Sequence, residues 1–436
     1  MKRFCCMLLI PAMLLAMAGC ASSAEETAPE TGAKPAGETL RVDASAGPVS
    51  LSARAEKGGA PLPLAPDDPV FASVGDLGCG LLLRAKGENP VISPLSAWLA
   101  LAMAAEGAGG KTADEFAALL GGDPELLKKA AAALEKEFRD GNDEENVFST
   151  ANSVWVDHRS EILKSYLDAL VSAYGADVYA ASLPTAETVK AVNDWVSEKT
   201  RGLIPDMLSE PPDPATALIL INTLYMKAKW MHAFKDTGTY DEDFTPESGS
   251  SVTVPFMHAE GHMSYLKGEG YTGVVLPYRN GTANFIALKP DGISAKKLLE
   301  KLDGKTVASL SGSARDQNVY LSLPKFRFEY SMNMNSELAE LGIPSAFSPS
   351  GADFTKMGTG AGGAPLYIGE VLQKVRIIVD EDGTEAAAAT MIDMKATGIQ
   401  EPEPVIELTF DEPFVYLITD GASGVPLFMG IVGNPA

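Results

Sequence analysis

Side-chain catalysis needs a nucleophile, a base and a group to orient them. This chain of 436 residues has four histidines (His158, His232, His258, His262) and four cysteines (Cys5, Cys6, Cys20, Cys79). His258 and His262 stand four apart, but no Glu follows His258 as the helical zinc-protease pattern requires. They read as two polar residues near a strand–turn–strand. Three of the four cysteines fall in the first twenty residues, which excludes a disulfide framework and a multi-cysteine zinc site. No G-x-S-x-G elbow, no S-x-x-K in a convincing context and no phosphate-binding loop is present. The chain therefore reads as a non-enzyme with no metal or organic cofactor.

The informative chemistry lies in residues 380–405, DEDGTEAAAATMIDMKATGIQEPEPV. By propensity, Glu385 to Ala396 favours a helix, because Ala, Met, Lys and Glu are good formers. Yet a turn-like Asp380-Glu381-Asp382-Gly383 precedes it, and Gly398, Pro402 and Pro404 follow. At period two, one face carries Thr384, Ala386, Ala388, Thr390, Ile392, Met394 and Ala396. The other carries Glu385, Ala387, Ala389, Met391, Asp393, Lys395 and Thr397. The first face is small or apolar throughout, and all three charges sit on the second. The segment has the composition of a surface loop or helix and also the pattern of a strand with one buried face.

A scaffold must carry this segment. The chain is 46% hydrophobic and 21% charged, an ordinary globular balance that supports a large core. Its net charge of −23 excludes nucleic acid as a partner, which needs a basic footprint. The first half reads as helical with strands interposed. Ser93-Pro94 caps a helix running to about Ala105. Thr112-Ala113-Asp114-Glu115 reads as a capping box for a helix ending at Gly121. Asp123-Pro124 opens a third, Ser160 to Tyr174 is a fourth that stops at Gly175, and Thr188 to Lys199 a fifth. Strands are expected at Phe148 to Val156, Ala217 to Lys227, Val274 to Tyr278, Phe285 to Leu288 and Val319 to Phe328. Further ones fall at Val375 to Val379, Val405 to Phe410, Phe414 to Thr419 and Leu427 to Val432. With no internal repeat and no second linker, this is one large α+β domain.

The amino terminus reads as an address. Lys2 and Arg3 precede an apolar run from Met7 to Ala18, too short to span a bilayer stably. Met17-Ala18-Gly19-Cys20 resembles a bacterial lipobox, with Met17 where Leu is usual. That resemblance implies a signal peptide over 1–19, lipid on Cys20 and an extracytoplasmic, membrane-anchored protein. Residues 20–60 are rich in Ala, Glu, Ser, Thr, Gly and Pro and read as a flexible tether, with the folded domain over 61–436.

Within that domain Glu381-Asp382-Gly383-Thr384-Glu385-Ala386-Ala387-Ala388-Ala389-Thr390 resembles the hinge of a serpin reactive-centre loop. Other motifs similar to that family follow in order. They are Asn89-Pro90-Val91-Ile92-Ser93-Pro94-Leu95-Ser96, Ala151-Asn152-Ser153-Val154-Trp155, Tyr174-Gly175-Ala176-Asp177-Val178 and Ile221-Asn222-Thr223-Leu224-Tyr225-Met226-Lys227 with Trp230 and Phe234. Leu276-Pro277-Tyr278, Leu323-Pro324-Lys325-Phe326, Leu341-Gly342-Ile343, Pro413-Phe414-Val415 and Pro426-Leu427-Phe428-Met429-Gly430 with Asn434-Pro435 complete the series. The likeness covers about residues 65 to 436.

The resemblance implies a serpin fold: three β-sheets, surrounding helices and an exposed reactive-centre loop. It also implies suicide inhibition of a serine, sometimes cysteine, protease by a monomer. The protease cuts the loop as an acyl-enzyme, and the loop inserts as a new central strand and drags the protease across. Small residues at Thr384, Ala386 and Ala388 would enter the sheet without overpacking, and Gly383 would let the hinge bend. The family's shutter cluster maps to Ser93, Ser96 and Asn222, with Gln373 where a histidine is usual. Its breach maps to Trp230, Lys325 and Glu381. The family's spacing puts the scissile bond at Thr397-Gly398, with Lys395 and Met394 as alternatives. A small β-branched residue there suits elastase-like or subtilisin-like proteases. The rival reading is a non-inhibitory binding protein of the same fold at the cell envelope.

Overall fold

The computed structural model describes residues 37–40, 44, 47–55, 64–65, 67–141, 146–214, 216–384 and 404–436. Cys20 and the signal segment lie outside them. So do Glu385, Ala386, Ala387, Ala388, Ala389, Thr390, Met394, Lys395, Thr397 and Gly398.

Three sheets and a set of helices form the described part. The central sheet has seven strands, in the order Phe326–Asn333, Leu372–Val379, Gly383–Thr384, Leu218–Lys229, Val147–Asp157, Asp177–Ala181 and Val49–Ser50. Its strand Val147–Asp157 is packed on both faces, whereas the edge strand Phe326–Asn333 alternates buried and exposed residues. In Val147–Asp157, Val154 and Val156 join the main core, and Trp155 joins a second cluster with Val192, Trp195 and Val196. Helix Ala186–Lys199 covers that second face. Helix Pro94–Glu106, buried from Pro94 through Ala105, lies on the first. A nine-stranded sheet runs from Ile406–Thr409 to Val91–Ile92, with Thr239–Phe244 paired beside Val252–Gly268. A small sheet joins Thr39–Leu40, Glu161–Leu163 and Gly358–Thr359.

Several local expectations change. Val319 to Phe328 is two strands, Arg315–Pro324 and Phe326–Asn333, which enter different sheets. At the pivot, Lys325 donates its N–H to Pro255 O. The capping box at Thr112 does not form. The helix begins at Gly110, two residues earlier, and packing reassigns both side chains. Thr112 Oγ1 accepts from Asp353 N, and Glu115 accepts from Ser345 N and Oγ. Ser160 to Tyr174 divides into strand Glu161–Leu163 and helix Lys164–Tyr174, because Glu161–Leu163 finds strand partners on two sides. His258 and His262 both lie inside the 17-residue strand Val252–Gly268, with His258 buried and stacked on Tyr240.

The stretch read as tether is packed over part of its length. Val49–Ser50 extends the edge of the central sheet against Asp177–Ala181. Ala44 and Leu51 are buried, and Ser52 Oγ accepts from Val178 N. Few large apolar residues mark this stretch, so composition concealed it. The pairings of Thr39–Leu40 and Val49–Ser50 and the buried Ala44 and Leu51 seat it.

The chain's end is tied to the start of the site. Asn89 Oδ1 accepts from Gly433 N (2.9 Å) and Asn434 N (2.8 Å), and its Nδ2 donates to Asn434 O (2.7 Å). This fixes the entry to Val91–Ile92, which delivers Ser93. Asn89→Ala leaves those backbone groups without their partner and should cost about 2 kcal/mol, read as a lower urea midpoint with unchanged slope.

Candidate functional site

The site is a strand position between Leu372–Val379 and Leu218–Lys229. These two run parallel to each other. Among the described residues they are joined only through Gly383–Thr384, which pairs antiparallel with both. Thr384 stands opposite Val379 on one side and Ala228 on the other. At that level the flanking strands are two strand spacings apart, about 9.5 Å.

The turn before it explains how the chain enters. Val379 reaches the top of its strand, and Asp380 Oδ1 accepts from Asp382 N and Gly383 N. Asp380 N donates to Gly383 O. Gly383 has φ +151°, and a Cβ there would lie 2.1 Å from Ala228 O. Glycine is required by this close approach as well as by the bend. Burial pushes the Asp380 carboxyl above its usual range, against the two N–H donors.

The three breach residues come together here. Lys325 Nζ pairs with Glu381 Oε2 at 2.5 Å, and Thr239 Oγ1 donates to Glu381 Oε1 at 2.8 Å. Trp230 is buried, and its Nε1 donates to Asp380 O (2.8 Å) while its N–H donates to Asp382 O (2.9 Å). Its ring stacks on Tyr278 (4.6 Å between centroids, 10°) and meets the edges of Phe234 and Phe285. Tyr278 Oη and Thr384 Oγ1 share a hydrogen bond of 2.6 Å inside the core. Thr239 carried no sequence signal. Tyr278 lay in a quoted motif but had no assigned role, because its partner is a hundred residues away.

The shutter residues also meet, lower in the sheet. Gln373 Oε1 accepts from Ser93 N (2.9 Å), and its Nε2 donates to Ser93 O (2.8 Å). Ser93 Oγ caps the following helix through Ser96 N (3.3 Å), while its backbone N–H and carbonyl meet Gln373. Ser96 Oγ donates to Asn222 O at 3.4 Å. Asn222 Nδ2 donates to Asn152 Oδ1 (2.6 Å), and Asn152 Nδ2 to Tyr174 O (2.7 Å). Asn152 is thus a member that residue type alone did not single out. Asn222 Oδ1 and Thr223 Oγ1 are buried with no hydrogen-bond partner, a cost this strand carries.

Gln373→Glu keeps an acceptor for Ser93 N but sets a carboxylate against Ser93 O, so it should lose about 2–3 kcal/mol in urea unfolding; an unchanged midpoint would contradict the geometry. Glu381 gives the breach a pH dependence. Burial works to raise its carboxyl, but hydrogen bonds from Lys325, its own backbone and Thr239, with the Lys325 charge, bring it below its usual value. A depressed carboxyl contributes stability above its unfolded pKa and loses it as pH falls through the folded one. The stability difference between wild type and Glu381→Gln should therefore hold down to about pH 4.3 and shrink below, in urea midpoints taken from pH 7 to 3.

A model of the family described as serpin (serine protease inhibitor) matches residues 79–435. A serpin-like protein of Thermococcus kodakarensis is 32% identical, over 81% of this chain and 82% of its own. A serine protease inhibitor of Cyanea capillata is 31% identical, over 82% of this chain and 95% of its own. The crystal structure of a thermophilic serpin, tengpin, in the native state matches with TM-score 0.81 and 33% identity, over 89% of this chain and 99% of that one. The three-sheet fold agrees with these likenesses, and the chain belongs to the serpin family.

Proposed function

We propose that this protein is a protease inhibitor that works as a suicide substrate, tethered to the outside of its cell by lipid on Cys20. The observation that carries this reading is Gly383–Thr384, seated as the first pair of a strand between two parallel neighbours. The relatives matched over most of their length include a serine protease inhibitor.

A serine protease attacks the loop at Thr397-Gly398, forms an ester to the Thr397 carbonyl and releases the new amino terminus at Gly398. The freed strand then extends from Thr384 down the open position. Carrying the pairing on residue by residue brings position 390 level with both Asn222 and Gln373. Positions 386 and 388 then face the same side as Thr384, and alanine there fits a close-packed interior. Each step adds backbone hydrogen bonds on two sides. A fold that gains this much only after cleavage is held beforehand by a kinetic barrier. A protease of elastase-like or subtilisin-like specificity fits Thr397. Met394 and Lys395 are the alternative cleavage residues, the latter for a trypsin-like enzyme.

The test mixes the full chain with an elastase-like, a subtilisin-like and a trypsin-like protease. A complex resistant to denaturing electrophoresis is expected, with a released peptide whose mass begins at Gly398. Complete cleavage with full recovery of protease activity would sink the inhibitor reading and leave a binding protein of the same fold. Flotation of wild type with vesicles, set beside Cys20→Ser, tests the anchor separately.

A further inference from the structure

We propose that Tyr278 is a positioning residue that recognises the hydroxyl of residue 384 and seats the hinge in the central sheet. This deepens the inhibitor reading and rests on it for its functional meaning, but the seat is measurable without any protease.

Tyr278 is fully buried, and its hydroxyl shares the 2.6 Å bond with Thr384 Oγ1. The ring is held from two directions. It stacks on Trp230, and its backbone N–H donates to Ala283 O at 3.0 Å. The hydroxyl is therefore aimed by a rigid frame rather than by a mobile side chain. Trp230 in turn holds the turn through Asp380 O and Asp382 O. One aromatic pair thus grips the hinge by its backbone before residue 384 and by the side chain of residue 384.

The environment makes the hydroxyl selective. With Thr384 withdrawn from the sheet, Tyr278 Oη would lose that bond in a dry core. Nearby Tyr416 is fully buried, and its own Oη has no partner. A buried polar group without a partner is costly, so the core favours the seated hinge. A residue of the same shape but without the hydroxyl would leave both sides unsatisfied. Valine at 384 is nearly isosteric with threonine and differs in that one group. Burial holds both phenols above their ordinary range, so Tyr278 stays a neutral hydroxyl throughout the working pH range. Gly383 sets the other half of the selectivity, since any Cβ there collides with Ala228 O. Together the pocket reads a glycine followed by a small hydroxyl residue.

Amide hydrogen exchange of the hinge (residues 380–384) in the full chain, without protease, tests this. Local opening sets the exchange rate there. Tyr278→Phe keeps the ring and its stack and should speed hinge exchange about tenfold, the effect of one buried hydrogen bond. Thr384→Val should do the same while leaving the Tyr278–Trp230 stack intact, and Thr384→Ser should keep wild-type protection. In the Thr384→Val background, adding Tyr278→Phe should change nothing further, within about twofold, because the pair acts as a unit. Exchange unchanged by Tyr278→Phe overturns the proposal. So does an equal acceleration in both backgrounds, which would assign the effect to packing. Should Tyr278→Phe fail to fold, Thr384→Val against Thr384→Ser decides the question: faster exchange in the valine variant alone supports the seat, and equal rates overturn it. Failure of wild type to trap any protease would instead sink the inhibitor reading and leave this seat standing.

Discussion

The structure turns on one close approach: the backbone of Gly383 lies so near the carbonyl of Ala228 that no side chain fits between them. That contact lets a strand begin between two parallel neighbours. Everything around it serves to hold the gap and the incoming chain in register. Val379 and Ala228 clasp Thr384 from either side. Trp230, Lys325 and Thr239 fix the turn that delivers it. A side chain at 383 would break the pairing and the turn together, because the same residue also carries φ +151°.

Lower in the sheet the problem is different. Opening a buried position exposes polar groups that water cannot reach. Gln373 answers this by satisfying both backbone groups of Ser93 with one amide. An amide has a donor and an acceptor in fixed positions and does not titrate, so this arrangement holds at any pH the protein meets. Asn222 and Asn152 carry the network outward to Tyr174. The orphaned oxygens of Asn222 and Thr223 mark where satisfaction stops. The clamp of Asn89 on Gly433 and Asn434 fixes the entry to the strand that delivers Ser93.

Much of this was legible in the residues. The Ser93-Pro94 helix start, the glycine stops at 121 and 175 and the long buried strands rest on local rules: caps, φ above zero and uninterrupted apolar runs. The breach and shutter residues were also legible, though only through resemblance to a family, since Lys325 and Glu381 or Ser93 and Gln373 are far apart in the chain. The misreadings share one cause. Thr112 and Glu115 fit a capping box but spend their hydrogen bonds on Asp353 and Ser345 across the fold. Residues 319–328 have one continuous strand pattern, yet the turn at Lys325 sends the two halves into different sheets. The Thr39–Leu40 and Val49–Ser50 pairings draw on backbone groups, which composition does not reveal.

By itself the sequence determined the class of fold and a segment with small residues on one strand face. Those follow from side-chain size, charge and period, which are properties of neighbours in the chain. Only the tertiary structure decided that the strand position is already begun at Gly383–Thr384. It alone made Tyr278 the partner of Thr384 and Thr239 the partner of Glu381. These are meetings between distant residues in a dry interior. Their worth depends on a few tenths of an ångström and on the loss of water, neither of which a linear pattern records.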